Sequence, residues 1–261
     1  MRVELGLGLI AIGRSWGFRK QPVPGEEQAQ DFLRDAVDAG VRFFDTAPSY
    51  GTSEERLGRF LSGLAKDSRD RLLIATKAGE HWDPETDALR VDHSPDALSR
   101  SVERSFQRLG RIQLLQLHKA TVATVTSAEV RRVLEASGAA EIGASVTDWE
   151  TAQIVLDDDL YRAIQIPFHL NNRALERVFE RAADKGKRVL VNRPFGMGEL
   201  LYSGPSDPHQ RRVEAFEAII RQPSNTVVLT GTQSSEHLRE NIRAFQEAFS
   251  KSLESQTVER A

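Results

Sequence analysis

Short runs of β-branched and leucine-rich residues alternate with segments whose apolar positions recur at helical spacing, from one end of the chain to the other. This alternation is the pattern of repeated βα units wrapped around a parallel sheet. Eight runs read as strands: Leu5 to Gly13, Val41 to Thr46, Leu72 to Lys77, Ile112 to His118, Glu141 to Val146, Ala163 to Pro167, Arg188 to Asn192 and Thr226 to Gly231. Between them, Ala29, Phe32, Leu33, Ala36 and Val37 make an apolar stripe that stops at Gly40, and Leu57, Phe60, Leu61 and Leu64 make the next. Stripes of this width are the faces that helices lay against a core. Ser94 and Pro95 supply an N-cap and a first-turn proline for a helix with Leu98, Val102, Phe106 and Leu109 on one face, and Gly110 ends it. Leu175, Val178, Phe179 and Ala182 mark a later helix, and Leu238, Ile242 and Phe245 the last. Ser203 to Pro208 reads as an exposed loop, and residues 251–261 as a polar tail that frays.

The same periodicity is produced by an open doubly wound sheet and by a closed (β/α)8 TIM barrel, so the placement of chemistry has to choose between them. The spacing Gly6-Leu7-Gly8-Leu9-Ile10-Ala11 imitates a dinucleotide-binding glycine loop. Such a loop needs a strand before it and a helix opening on it, whereas this one starts at position 6 and runs on into apolar Ile12. A chain of 261 residues fits one barrel domain, here over residues 1–250.

Composition narrows the function classes. With 39% hydrophobic and 28% charged residues the chain can bury a substantial core. Lys and Arg number 35 against 38 Asp and Glu, with no long basic run, which argues against a nucleic-acid partner. The absence of cysteine removes disulfides and thiolate catalysis, and fits a cytoplasmic location. Val3 to Ile12 is too short, and with Glu4 too polar, to span a membrane. His81 and His118 lack a third ligand at recognisable spacing, so no metal is expected.

Four ionisable residues fall at the ends of consecutive strands. Asp45 closes the second strand, Tyr50 lies on the loop beyond it, Lys77 closes the third and His118 the fourth. This is the face on which barrel enzymes build their sites, and neighbouring strands about 4.8 Å apart let such side chains touch. Taken singly, each residue has a plain structural reading: a turn cap, loop packing, a strand-end lysine, a core histidine. Together they point to chemistry. A phenol with an ordinary pKa near 10 keeps its proton at neutral pH, and an adjacent ammonium is expected to lower that pKa. Asp45 would hold Lys77 charged and in place, and His118 would hydrogen-bond a carbonyl oxygen as negative charge grows on it.

The stretches Phe44-Asp45-Thr46-Ala47-Pro48-Ser49-Tyr50-Gly51, Ala75-Thr76-Lys77, Leu114-Leu115-Gln116-Leu117-His118, Ile142-Gly143-Ala144-Ser145, Gln165-Ile166-Pro167-Phe168 and Arg193-Pro194-Phe195-Gly196-Met197-Gly198 resemble the aldo-keto reductase superfamily, as does Gly231-Thr232 with Glu240-Asn241. The resemblance runs over nearly the whole chain. It implies a catalytic tetrad of Asp45, Tyr50, Lys77 and His118, and reversible reduction of an aldehyde or ketone with NADPH, or possible use of NADH, as hydride source. It also implies that Ser145 and Gln165 hold the nicotinamide carboxamide, and that the loop of Arg193, Pro194, Phe195, Gly196 and Gly198 follows the pyrophosphate. Gly231, Thr232, Gln233, His237, Glu240 and Asn241 would meet the adenosine end.

Departures from that family pattern carry their own expectations. Val146 replaces a common Asn, and Asn192 replaces the usual strand-seven aromatic. Gly231, Thr232 and His237 stand where many members place a Lys-Ser pair and an Arg on the 2′-phosphate, which weakens the expected preference for NADPH. The segment Lys119 to Thr126 is short where many members carry a long substrate loop, so an open site is expected, walled by Trp16, Phe18, His81 and Trp82. Competing readings are an NAD-dependent sugar or pyridoxal-type dehydrogenase, a cofactor-sensing regulatory subunit like the potassium-channel beta subunits, and a lyase or isomerase that needs no nicotinamide. The expected partner is a small-molecule carbonyl compound, and nothing in the sequence reveals an oligomeric interface.

Overall fold

The computed structural model of the chain describes residues 2–18, 21–202 and 207–258. Eight parallel strands close into a barrel: β1 (Val3–Gly8), β2 (Phe43–Asp45), β3 (Leu73–Ala78), β6 (Leu114–Leu117), β7 (Glu141–Ser145), β8 (Tyr161–Pro167), β9 (Arg188–Asn192) and β10 (Asn225–Gly231), with β10 pairing back onto β1. Two further strands, β4 (Glu80–Asp83) and β5 (Ala88–Val91), form an antiparallel hairpin on the loop after β3. Around the barrel lie α2 (Glu26–Asp38), α3 (Ser53–Ser62), α4 (Lys66–Asp70), α5 (Pro95–Leu109), α6 (Val122–Val125), α7 (Ala128–Glu135), α8 (Trp149–Asp157), α9 (Arg177–Asp184), α10 (Glu199–Tyr202), α11 (Pro208–Ile220) and α12 (Ser235–Val258).

Strand alternation sorts the barrel interior into layers. Phe43, Ala75, Leu114, Ala163, Leu190, Val227 and Leu229 form an apolar cluster separate from the larger one between the sheet and the helices. This plug is tight enough that Gly6 has no room for a side chain: an added Cβ would sit 2.8 Å from Val227 and 3.0 Å from Leu229. Two residues before Gly143 and Leu190, Glu141 and Arg188 pair at 2.9 Å and close the bottom. Two residues after the plug, on the same inward face, come Asp45, Lys77, Gln116, Gln165 and Asn192. The polar layer at the mouth is thus fixed by the register of an apolar one.

Several expected elements differ. β1 ends at Gly8, and residues expected to extend it to Gly13 instead form a short helix, α1 (Ile10–Gly13), packed on α3. An unbroken apolar run cannot distinguish a strand from a buried helical turn. Gly6 and Gly8 lie within the strand, so no glycine loop opens a helix there. α5 begins at Pro95 after Ser94 and stops at left-handed Gly110, as its sequence signals indicate. The last helix runs to Val258 with Ser252 buried, so the expected tail boundary at residue 250 falls inside a helix. Most of the Ser203 to Pro208 stretch, residues 203–206, lies outside the described residues, as do residues 259–261. Among the described residues no helix is long and apolar enough to cross a membrane.

Candidate active site

Asp45, Lys77 and Gln116 stand side by side because β2, β3 and β6 are neighbours in register. Lys77 is 1% exposed, and its ammonium donates to Asp45 Oδ2 at 2.5 Å and to the Thr46 carbonyl at 3.0 Å. Gln116 Nε2 donates to the other carboxylate oxygen at 2.8 Å. The Lys77 ammonium lies 4.7 Å from the centre of the Tyr50 ring, and the His118 ring meets Tyr50 edge-on with centroids 6.2 Å apart. The four residues singled out in the sequence therefore form one cluster.

Burial sets its protonation. It raises the Tyr50 phenol above its ordinary value, against the opposing pull of Lys77. This reverses the sequence-based expectation of a lowered phenol: removing a phenolate from water costs more here than one ammonium returns. Burial also opposes the charge on Lys77, but Asp45 and then Tyr50 outweigh it and the ammonium is held above its usual range. His118 is driven well below the ordinary histidine value, first by burial and then by the charges of Lys77 and Lys119, so its ring is neutral at neutral pH. Its Nδ1 lies 3.4 Å from Glu80 Oε2, close enough for an ion pair, yet without a hydrogen-bond partner.

Above the cluster opens a cavity of about 640 Å³. Asp45, Tyr50 and His118 line it, with Ser145, Gln165, Arg193, Pro194, Phe195, Gly198, Gly231, Thr232, Gln233, His237, Asn241, Trp16 and Phe18. Lys77 stands behind this surface. Gly196 and Glu240 do not line it; Glu240 is engaged instead by Arg212, at 2.7 Å. His81 and Trp82 do not line it either, which departs from their expected place as walls. Both belong to the hairpin, whose alternation turns His81 away from the face of Glu80 and Leu89, which line the cavity, while Trp82 shares that face and packs on the cavity-lining Arg14. The hairpin thus walls the side that the short Lys119 to Thr126 segment was expected to leave open.

The mouth suits a nicotinamide amide. Gln165 Oε1 and Asn192 Oδ1 are buried carbonyl oxygens without partners, on residues that line the cavity beside Ser145. Unpaired buried acceptors are costly, and an amide donor satisfies them. Further round, Arg193 (φ 55°) and Met197 (φ 61°) adopt left-handed backbone conformations that non-glycine residues rarely take. The Phe18 amide donates to the Met197 carbonyl at 3.0 Å, tying the loop after α1 to the loop after β9.

Among the polar residues of the site that escaped the sequence reading are Gln116, Glu80, Arg14 and Arg212. Gln116 lies two residues before His118 and so shares its inward face, a signal the strand pattern contained. Arg212 stands four residues before Phe216 on the buried face of α11, 6% exposed, a charged residue at an apolar position. Glu80 and Arg14 carry no such mark, because their elements were not foreseen.

Residues 4–221 match the model of the aldo/keto reductase family. The chain belongs to that family. Aldo-keto reductases are NAD(P)(H)-dependent oxidoreductases. The chain is 31% identical over 232 residues to D-threo-aldose 1-dehydrogenase from a Pseudomonas species, covering 77% of this chain and 68% of that protein. It is 26% identical over 217 residues to the aldo-keto reductase yakc [NADP(+)] of Schizosaccharomyces pombe, covering 78% of this chain and 62% of that one. Among solved structures, a crystal structure from Pseudomonas aeruginosa provisionally assigned as an aldo-keto reductase superposes with a TM-score of 0.78 at 30% identity, covering 94% of this chain and 89% of the other.

Proposed function

We propose that this aldo-keto reductase reduces an aldehyde or ketone, and in reverse oxidises the alcohol, with Tyr50 as the proton donor. When bound, a nicotinamide cofactor supplies the hydride. The observation that carries the reading is the Tyr50 ring held against the buried Lys77 ammonium, which Asp45 fixes and Gln116 supports through Asp45. Tyr50 gives its proton to the carbonyl oxygen as the C–H bond forms, and Lys77 stabilises the phenolate left behind. His118, neutral in the buried site, hydrogen-bonds the same oxygen without competing for the proton. Ser145, Gln165 and the unpaired Asn192 oxygen would hold the carboxamide, the loop from Arg193 to Gly198 would hold the pyrophosphate, and Thr232, Gln233, His237 and Asn241 would receive the adenosine half. NADPH is the proposed cofactor, with NADH accepted less well.

Replacing Tyr50 with Phe removes the acid and leaves the cavity's shape. Turnover should fall about 10²-fold or more while NADPH affinity stays nearly constant. Wild-type carbonyl reduction by the Tyr50→Phe variant would exclude Tyr50 as the donor.

A further inference from the structure

Beside Tyr50, away from the residues proposed to hold the cofactor, the cavity wall contains an arginine that the reaction does not use. Arg14 follows α1, is 9% exposed and lines the cavity next to Trp16 and Ser49. Its guanidinium carbon lies 5.7 Å from the Trp16 ring centre and 5.4 Å from that of Trp82, so two indoles fix the group in place. Its own polar contacts are poor. One nitrogen reaches the Ser49 carbonyl at 3.4 Å, another lies 3.6 Å from Asp87 Oδ1, and the buried Nε has no partner. A guanidinium offers five N–H donors, and burying its charge with so few acceptors is unfavourable. The Ser49 hydroxyl is likewise buried and unpartnered on the same wall.

We propose that Arg14 and Ser49 bind a carboxylate carried by the substrate, so that the preferred substrates are short aldehydes or ketones bearing an acid group. The assignment rests on the reductase reading above and adds the substrate class. A planar carboxylate matches the guanidinium fork with two charge-assisted hydrogen bonds, better geometry than the 3.6 Å contact with Asp87 supplies. Asp87, on the hairpin turn with φ 51° and a 66% exposed side chain, accepts from Trp82 Nε1 at 2.8 Å through the same oxygen that faces Arg14, so its hold on the guanidinium is the weaker of its two contacts and gives way to a closer carboxylate. Ser49 directly precedes Tyr50, and Arg14, Ser49 and Tyr50 all line the one cavity, so the anion site and the proton donor open onto the same space. A short-chain oxo acid presents its carboxylate to the one and its carbonyl oxygen to the other. The other acid on this wall, Glu80, faces His118 Nδ1 at 3.4 Å and Lys119 Nζ at 4.0 Å rather than Arg14.

The test compares succinic semialdehyde with its methyl ester, and glyceraldehyde 3-phosphate with glyceraldehyde, under saturating NADPH. The wild type should favour the carboxylate over the ester by about 10- to 100-fold in kcat/KM, the range for hydrogen bonds to a charged group. Arg14→Met should erase that ratio. Asp87→Asn, which suits the left-handed turn, should lower KM for succinic semialdehyde severalfold and leave the ester unchanged. Equal rates on acid and ester, or an Arg14→Met variant that keeps the ratio, overturn the proposal while leaving the reductase intact. A larger ratio for the phosphate pair overturns the carboxylate in favour of a phosphate. If neither aldehyde of either pair is reduced, the reductase reading fails. Calorimetric binding of succinate to the NADP+-loaded protein then reads the anion site by itself, and its absence in the wild type overturns it.

Discussion

At Lys77 a single carboxylate decides whether a buried charge is tolerated. The ammonium and Asp45 are both almost wholly enclosed, at 1% and 2% side-chain exposure, so neither is rescued by water if the other is removed. Asp45→Asn should destabilise the fold by about 3–5 kcal/mol in urea unfolding, and Lys77→Met added to it should recover much of the loss. A single variant within about 1 kcal/mol of wild type would mean that Lys77 loses its charge instead. His118 supplies the pH dependence. Its folded pKa lies well below the ordinary value, so between the two the unfolded chain binds the extra proton and stability rises with pH. The contribution is complete above about pH 6.5, the unfolded value, and is lost as the pH falls below it. His118→Gln should therefore flatten the acid side of the stability profile between about pH 5 and 7. A variant with the wild-type slope would assign that slope to other groups. At this scale the sequence was informative: Asp45, Tyr50, Lys77 and His118 were recognisable from strand ends alone. The raised phenol was not, because desolvation depends on what encloses a group rather than on which charge lies beside it.

The strands were legible because a barrel strand is buried on both faces and reads as a dense apolar run, and the residue two places beyond each plug position had to reach the mouth. The hairpin was not legible. Its strands are four residues each, β5 is exposed throughout, and Glu-His-Trp-Asp has no apolar alternation to mark it. Its local backbone is nonetheless specified: Gly79 has φ 112°, and an added Cβ would lie 2.4 Å from the His93 ring, whose Nε2 meets the His118 carbonyl at 2.7 Å. The same short element carries Glu80, Leu89 and Asp87, so without it the sequence picked out His81 and Trp82 as walls where Glu80 and Leu89 line the cavity. α1 was lost for the opposite reason, an apolar run long enough to look like more strand, and Arg14 was lost with it. α12 continues past its expected end, with Ser252 covered while Ser250 and Glu254 are exposed.

Over the whole molecule the formal charge is −3 at pH 7, which repels the more highly charged NADPH slightly more than NADH. At physiological salt such fields are screened within about 8 Å, so the choice between the two cofactors falls to charges near the 2′-phosphate. Gly231, Thr232 and His237 line the cavity wall proposed to receive that phosphate and bring no Lys or Arg side chain. Arg212 lines the same end, but Glu240 holds it at 2.7 Å and Asn241 accepts from its Nε at 3.1 Å. Its charge is largely spent on that carboxylate. The expected outcome is a modest preference for NADPH, about tenfold in Kd or 1.4 kcal/mol. Glu240→Gln keeps the hydrogen bond and removes the competing charge, so it should widen the preference severalfold by tightening NADPH while leaving NADH unchanged. Fluorescence titrations of both cofactors at fixed ionic strength measure this. A wild-type preference above a thousandfold would require a strong phosphate contact absent from this wall, and a Glu240→Gln variant with an unchanged ratio would place Arg212 outside the phosphate's reach.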